Sequence, residues 1–309
     1  MDPRPRYRSL VFDSFRWDGF AFRDDDIVIC TPPKCGTTWM QMLCALLIFR
    51  TPGLPAPLAE LSPWLDMQTR PLPEVLRDLD AQEHRRFIKT HCPLDGMPFD
   101  PRVTYLNVAR DPRDVALSFD NHMANIDMAR LFAVRASAVG TDDFEELGIT
   151  GPPPTPPDDP VERFWQWIDA EQTGVQSGGL PAVVHSIGTF WEARDRPNVH
   201  LFHYSDLTVD LAGQMRRLAA ILGVAPPTGE LVEAAGFAAM KDRADELVPN
   251  SDTPMWRSND RFFDQGRLGA WREILDEDGL GRYHGVLAGL APPDLAAYLD
   301  EGWLGLDPH

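Results

Sequence analysis

Apolar positions along the chain fall into two alternating kinds of run. The run Ile27-Val28-Ile29-Cys30-Thr31 is short, β-branched and uninterrupted, which predicts a buried strand. Trp39, Met42, Leu43, Leu46 and Leu47 then fall at the i, i+3, i+4, i+7, i+8 spacing of one helical face. The alternation returns further on. A short helix from about Pro73 to Arg85 precedes a strand over Arg86–Cys92, halted at Pro93. A strand over Val103–Ala109 runs into a helix with Asp111 as N-cap and Pro112 as first residue. Phe164, Trp165, Trp167 and Ile168 predict a helix, and Val183, Ile187, Phe190 and Trp191 another, which feeds the strand Val199–His203. Helices over Leu211–Leu222 and Gly229–Ala239 follow, and Phe262–Arg272 reads as a glycine-bearing loop feeding a last helix. Alternation of this kind predicts an α/β chain with a mainly parallel sheet covered by helices on both faces; it does not reveal the strand order. Residues 1–309 read as a single domain with an aromatic N-terminal arm to about residue 23 and a Pro-rich loop at about 136–160, a lid or plain surface.

The segment between the first strand and helix, Pro32-Pro33-Lys34-Cys35-Gly36-Thr37-Thr38, sits at a helix N-terminus. First-turn N–H groups there lack intrahelical partners and carry the positive end of the helix dipole, so the loop suits an anion. Gly36 permits close approach and Lys34 adds a charge. The order of residues is not G-x-x-x-x-G-K-[ST], which disfavours a nucleoside triphosphatase or kinase. In such a donor-rich loop Cys35 is expected to have a depressed pKa, as in a tyrosine phosphatase, but the arginine that chemistry needs is replaced by Gln41.

Two further stretches add chemistry. Period-two geometry through Lys89-Thr90-His91 puts Lys89 and His91 on one side, at the carboxyl end of a strand, where open α/β sheets bind ligands. The same histidine can also simply be satisfied by a backbone carbonyl. Arg110 falls at the tip of the next strand, suited to bidentate phosphate recognition or to pairing with Asp111 or Asp114. Trp17, Trp64, Met67, Phe119, Met123 and Trp165 can line an apolar pocket, or can equally be plain core.

Charge narrows the partners. The chain has 29 Lys plus Arg against 47 Asp plus Glu, a formal net charge of −18, which disfavours nucleic acid and anionic bilayers. Its 43% hydrophobic and 25% charged content is that of a soluble globular protein. Four cysteines lack metal-type spacing, and two fall in the central strand and helix, so reduced thiols in a cytoplasmic setting are expected, with neither secretion nor a transmembrane anchor.

Assembled, these stretches resemble the cytosolic-type sulfotransferases that use 3′-phosphoadenosine 5′-phosphosulfate (PAPS). Pro33-Lys34-Cys35-Gly36-Thr37-Thr38-Trp39 resembles the family's P-K-S-G-T-T-W loop for the 5′-phosphosulfate, with Cys35 in the serine's place. Lys89-Thr90-His91-Cys92-Pro93 resembles K-T-H-x-P, whose histidine is the family's catalytic base. Arg110 and Ser118, eight apart, match the 3′-phosphate pair, and Trp39 and Phe237 fall where family members contact adenine. The stretches Arg86–His91, Pro93–Gly96 and Leu290–Leu295 look similar to actinobacterial glycolipid sulfotransferases.

The resemblance implies a single-domain P-loop-type sheet and transfer of SO₃ from PAPS to a hydroxyl of a small-molecule, phenolic or glycolipid acceptor, leaving adenosine 3′,5′-bisphosphate (PAP). It implies His91 as general base, Lys34 and Lys89 as charge stabilisers, and no metal. The chain departs from the pattern in three places. The family's R-K-G appears as Asp264-Gln265-Gly266, with Arg267 one residue further on as a substitute; a family tyrosine aligns near Val184 and a threonine near Ala235; and Cys35 replaces a hydroxyl. A nucleotide-binding protein of the same fold with lost catalysis is the competing expectation. Oligomeric state stays open.

Overall fold

The computed structural model describes residues 4–151, 154–171, 178–248, 255–263 and 266–306. Among these, one sheet of four parallel strands forms the centre: β1 (Ile27–Cys30), β2 (Phe87–Thr90), β3 (Thr104–Ala109) and β4 (Val199–His203), in spatial order β2-β1-β3-β4. Between β1 and β2 run α1 (Thr37–Phe49), α2 (Leu58–Leu61) and α3 (Leu72–Ala81). Between β3 and β4 run α4 (Pro112–Asn125), α5 (Met128–Val139), α6 (Pro160–Ile168) and α7 (Leu180–Glu192). After β4 come α8 (Tyr204–Val209), α9 (Leu211–Leu222), α10 (Gly229–Ala234), α11 (Phe237–Lys241) and α12 (Ala244–Leu247). The C-terminal pair is α13 (Glu277–Leu290) and α14 (Pro293–Leu306), the latter broken at a non-helical Gly302.

Both faces of the sheet are covered, which is why its strands read as continuous apolar runs. Val28, Cys30, Ile88, Tyr105 and Leu201 point into a core shared with α6, α7, α13 and α14. Ile27, Ile29, Phe87, Leu106, Val108 and Phe202 point into a second core with the apolar side chains of α1 and α9. Because β2 and β3 lie on opposite sides of β1, the chain reverses direction across the sheet at the carboxyl end of β1, the place where open sheets form a cleft.

Element boundaries differ from expectation where tertiary contacts intervene. The helix expected over Gly229–Ala239 is two: Gly236 is extended (φ −64°, ψ 149°), and the Trp39 indole takes the Ala235 carbonyl at 2.9 Å in place of a helical N–H. The Pro-rich stretch begins later than position 136, since α5 runs to Val139 and is closed by Gly140 at φ 81°; Pro152 and Pro153 lie outside the described residues. Strand β2 ends at Thr90, before His91. The segment from Phe262 to Arg272 feeds the 3₁₀ turn Ala270–Glu273 instead of a regular helix.

The edge of the sheet is pinned by a buried ion pair. Arg86 and Asp26 are each about 1% exposed; the guanidinium donates from Nε to Oδ1 at 2.8 Å and to the Ala21 carbonyl at 3.0 Å. Replacing Asp26 by Asn leaves that guanidinium buried without its countercharge, and the expected loss is about 3–5 kcal/mol of unfolding free energy. Urea denaturation of Asp26→Asn measures it, and a loss under about 1 kcal/mol would refute the structural weight given to the pair.

Candidate active site

Four parallel strands ending on one edge deliver four segments to one place. Past β1 comes the loop Thr31–Gly36; past β2, His91; past β3, Arg110; past β4, Tyr204. In the loop, Lys34 (φ 69°) and Gly36 (φ 107°) both adopt left-handed backbone, and Gly36 caps α1. A Cβ on Gly36 would meet the Tyr204 ring at 3.1 Å, so a side chain here would be strained twice over. Thr37 bonds through its hydroxyl to Thr31.

The thiol of Cys35 behaves opposite to the expectation of a depressed pKa. Cys35 is fully buried, and burial pushes its thiol up to about 12, outweighing the nearby charges of Arg110 and Lys34. A fully buried thiol with a raised pKa is no nucleophile, which speaks against the phosphatase reading.

His91 has the backbone-carbonyl partner that the sequence allowed, and it also lines the cavity. Its Nδ1 lies 2.6 Å from the Thr31 carbonyl oxygen, which can only accept, so Nδ1 carries the proton and Nε2 the lone pair in the neutral ring. Burial first, then the charge of Lys89 and of Lys34, push its pKa well below the ordinary imidazole value, against the raising effect of the Thr31 bond. The ring packs edge-on to Trp64 at 4.6 Å, and the Lys89 ammonium sits 4.1 Å from the centre of that same indole. Burial and the repulsion of Lys34 bring Lys89 down to about 7, with Asp66 opposing.

Arg110 does not pair with Asp111 or Asp114. Arg113 takes Asp111 from its Nε at 2.8 Å, while Arg110 stacks 4.4 Å over Tyr204 and donates to the Lys34 carbonyl at 3.1 Å. Its buried Nε has no partner among the described residues, an unmet donor of the kind a bound phosphate would satisfy. Ser118 lies two turns along α4 on the same cavity. The C-terminal glycine loop comes to meet this helix. Gly269 N–H donates to Asp114 at 2.8 Å, and the Trp271 indole N–H to Asp111 at 3.0 Å. Gly266 (φ 60°) leaves room for Phe237, whose ring would lie 2.5 Å from any Cβ there. Arg267 lines the cavity but also pairs with Glu273 at 2.8 Å; Asp264 and Gln265 lie outside the described residues.

One cavity of about 680 Å³ joins these groups. Lys34, Gly36, Thr37, Thr38, Trp39, Lys89, His91, Arg110, Ser118, Phe237, Gly266 and Arg267 all line it; Cys35 does not. Of the apolar candidates, Trp64, Met67, Phe119 and Met123 line it too, whereas Trp17 is fully buried against Asp66 and Trp165 packs under Arg282. Sequence reasoning missed Tyr204, His122 and Trp167, which also face the cavity. The signal for Tyr204 was its place just past a strand end; for His122, its i+4 spacing from Ser118.

The family model described as "Sulfotransferase domain" matches residues 24–288. A glycolipid sulfotransferase of Mycobacterium bovis is 43% identical over an alignment covering 100% of this chain and 98% of its own length. One of Mycobacterium tuberculosis is 42% identical with the same coverage, and a rat sulfotransferase 1A1 is 26% identical over 83% of this chain and 81% of its own. Among solved structures, a mouse sulfotransferase complexed with PAP superposes with a TM-score of 0.67 at 16% identity, covering 95% of this chain and 98% of that one. A retinol dehydratase complexed with androsterone and PAP gives 0.64 at 20% identity, covering 91% and 86%. With a domain match over residues 24–288 and a full-length likeness of 42–43% identity in agreement, the chain belongs to the sulfotransferase family and is a sulfotransferase.

Proposed function

We propose that the chain moves the sulfuryl group of PAPS to a hydroxyl on the sugar head of a glycolipid, with His91 as general base. The observation that carries this reading is that a neutral imidazole, its Nδ1 proton committed to Thr31, faces the same cavity as the phosphate loop, Lys34 and Lys89. The acceptor class rests on the glycolipid sulfotransferases that are 42–43% identical over the whole chain, together with an apolar cavity wall suited to a lipid tail.

The residues fit the donor. Backbone N–H groups at the start of α1 and Lys34 meet the 5′-phosphate, where negative charge collects as the S–O bond breaks. Arg110, with its unmet Nε, and Ser118 hold the 3′-phosphate, joined by Gly266 and by Arg267 in place of the family's Arg-Lys. Trp39 and Phe237 flank the adenine. In the transfer itself His91 Nε2 removes the acceptor's proton as the new O–S bond forms; the electron pair of the broken bond stays on the phosphate, and PAP departs. Lys89 holds the sulfuryl oxygens. The work asked of the chain is mainly in-line positioning and charge stabilisation, as in phosphoryl transfer.

His91→Ala is expected to lower kcat by about 10²–10⁴-fold while PAP still binds. Thermal melting with PAP checks the second half: at a hundred times its dissociation constant the ligand adds about 2.7 kcal/mol to wild type and variant alike. Unchanged turnover would remove His91 from its role, and a chain stabilised by PAP but inactive on every hydroxylated acceptor would be a nucleotide-binding protein with lost catalysis.

The pH dependence has a defined sign. Lys89, lowered to about 7, is charged below that pH and neutral above, so kcat/KM for PAPS, which reports the free enzyme, is expected to fall as pH rises through about 7. His91, lowered below the usual imidazole range, stays an available base into mildly acidic solution. Lys89→Arg keeps its charge throughout and removes the alkaline limb. A wild-type profile flat from pH 6 to 9 would contradict the assignment.

A further inference from the structure

Past Ser118 on α4, two polar side chains stand among the apolar residues that α4, α5 and α6 give to the cavity. His122, on α4, lines the cavity with its Nδ1 buried and without a hydrogen-bond partner among the described residues. It is surrounded by rings: Trp256 at 4.9 Å, Phe262 at 6.0 Å and Phe119 at 6.4 Å. Trp167, on α6, also lines the cavity, and its indole N–H is likewise buried without a partner. Phenylalanine would fill either place without an unmet polar atom, and most buried polar groups in folded chains are paired. An unmet polar atom on a side chain that lines a cavity therefore points to a partner supplied by the ligand.

His122 lines the same cavity as His91, Lys34 and Lys89. Burial first, then the charges of Lys34 and Lys89, push its pKa well below the ordinary imidazole value, which keeps it neutral. A neutral imidazole offers one N–H and one lone pair; the indole offers one N–H. An acceptor with a single hydroxyl would engage His91 and leave both of these groups desolvated and unmet. A sugar ring has oxygens to spare next to the one that reacts.

We infer that His122 and Trp167 bind acceptor oxygens other than the one that receives the sulfuryl group, so that the cavity selects a polyhydroxylated head on an apolar tail over a simple alcohol with the same tail. This rests on the reading of the acceptor as a glycolipid and deepens it, since it names the side chains that tell a sugar from a lone hydroxyl.

The test compares two acceptors with PAPS: octyl glucoside below its micelle threshold, and octan-1-ol. Wild type is expected to prefer the glucoside in kcat/KM. In His122→Phe and in Trp167→Phe the glucoside-to-octanol ratio is expected to fall about ten- to a hundredfold, mostly through KM for the glucoside. His122→Gln, which restores a donor and an acceptor, is expected to recover part of it. Melting with PAP verifies that each variant is folded and holds nucleotide. A ratio that stays at the wild-type value in both phenylalanine variants would overturn the inference while leaving sugar sulfation standing. Wild type that uses octanol and not the glucoside would overturn the glycolipid reading, and this inference with it.

Discussion

The stagger of the parallel ladder is the constraint on which the site depends. Cys30 pairs with Thr90, and Ala109 with His203, so the four junctions between strand and loop are aligned two by two by backbone hydrogen bonds before any side chain contributes. The residues just beyond, Thr31, His91, Arg110 and Tyr204, are then forced into one cleft. A slip of β2 by one residue would turn Lys89 from the cavity into the opposite core. The convergence of these residues is thus a property of register, and register is held by the two apolar cores that cover the sheet.

Buried polar ties reinforce the alignment where the ladder ends. Asn107, fully buried in β3, donates to the Cys30 carbonyl at 2.7 Å at the last residue of β1. Asp66 accepts from the Trp17 indole at 2.9 Å and from the Thr90 hydroxyl at 2.5 Å, and the same hydroxyl accepts from the Cys92 N–H at 2.9 Å, which fixes both sides of His91. Burial raises Asp66 to about 6, yet its charge still supports the ammonium of Lys89. At the other side of the cleft, Asp111 and Asp114 hold the glycine loop against the first turn of α4. The acidic chain thus spends a few carboxylates inside, as braces for the cationic groups and loops of the cleft.

Much of this was legible because it is local. The stripe on α1, the strand before it, the Asp111-Pro112 helix start and the convergence of Lys89 with His91 follow from spacing alone, and α4 begins where its N-cap predicts. Strand order was not legible, because the pattern within a strand is the same whichever neighbour it has. The break at Ala235–Gly236 depends on Trp39, 196 residues away in sequence, and no local propensity encodes it. Cys35 was misread because proximity to donors is visible in sequence and burial is not. His122 and Trp167 looked like ordinary helix residues until the cavity placed them on one wall.

All four cysteines, Cys30, Cys35, Cys44 and Cys92, are unpaired and fully buried. A thiol reagent added to the folded chain therefore meets sulfur only when the structure opens. The rate at which the chain is alkylated is a clock for that opening. Cys35 ticks with the loop at the start of α1, and Cys44 with the interior of the same helix, so their relative labelling would tell a local loosening of that loop from an unravelling of the molecule.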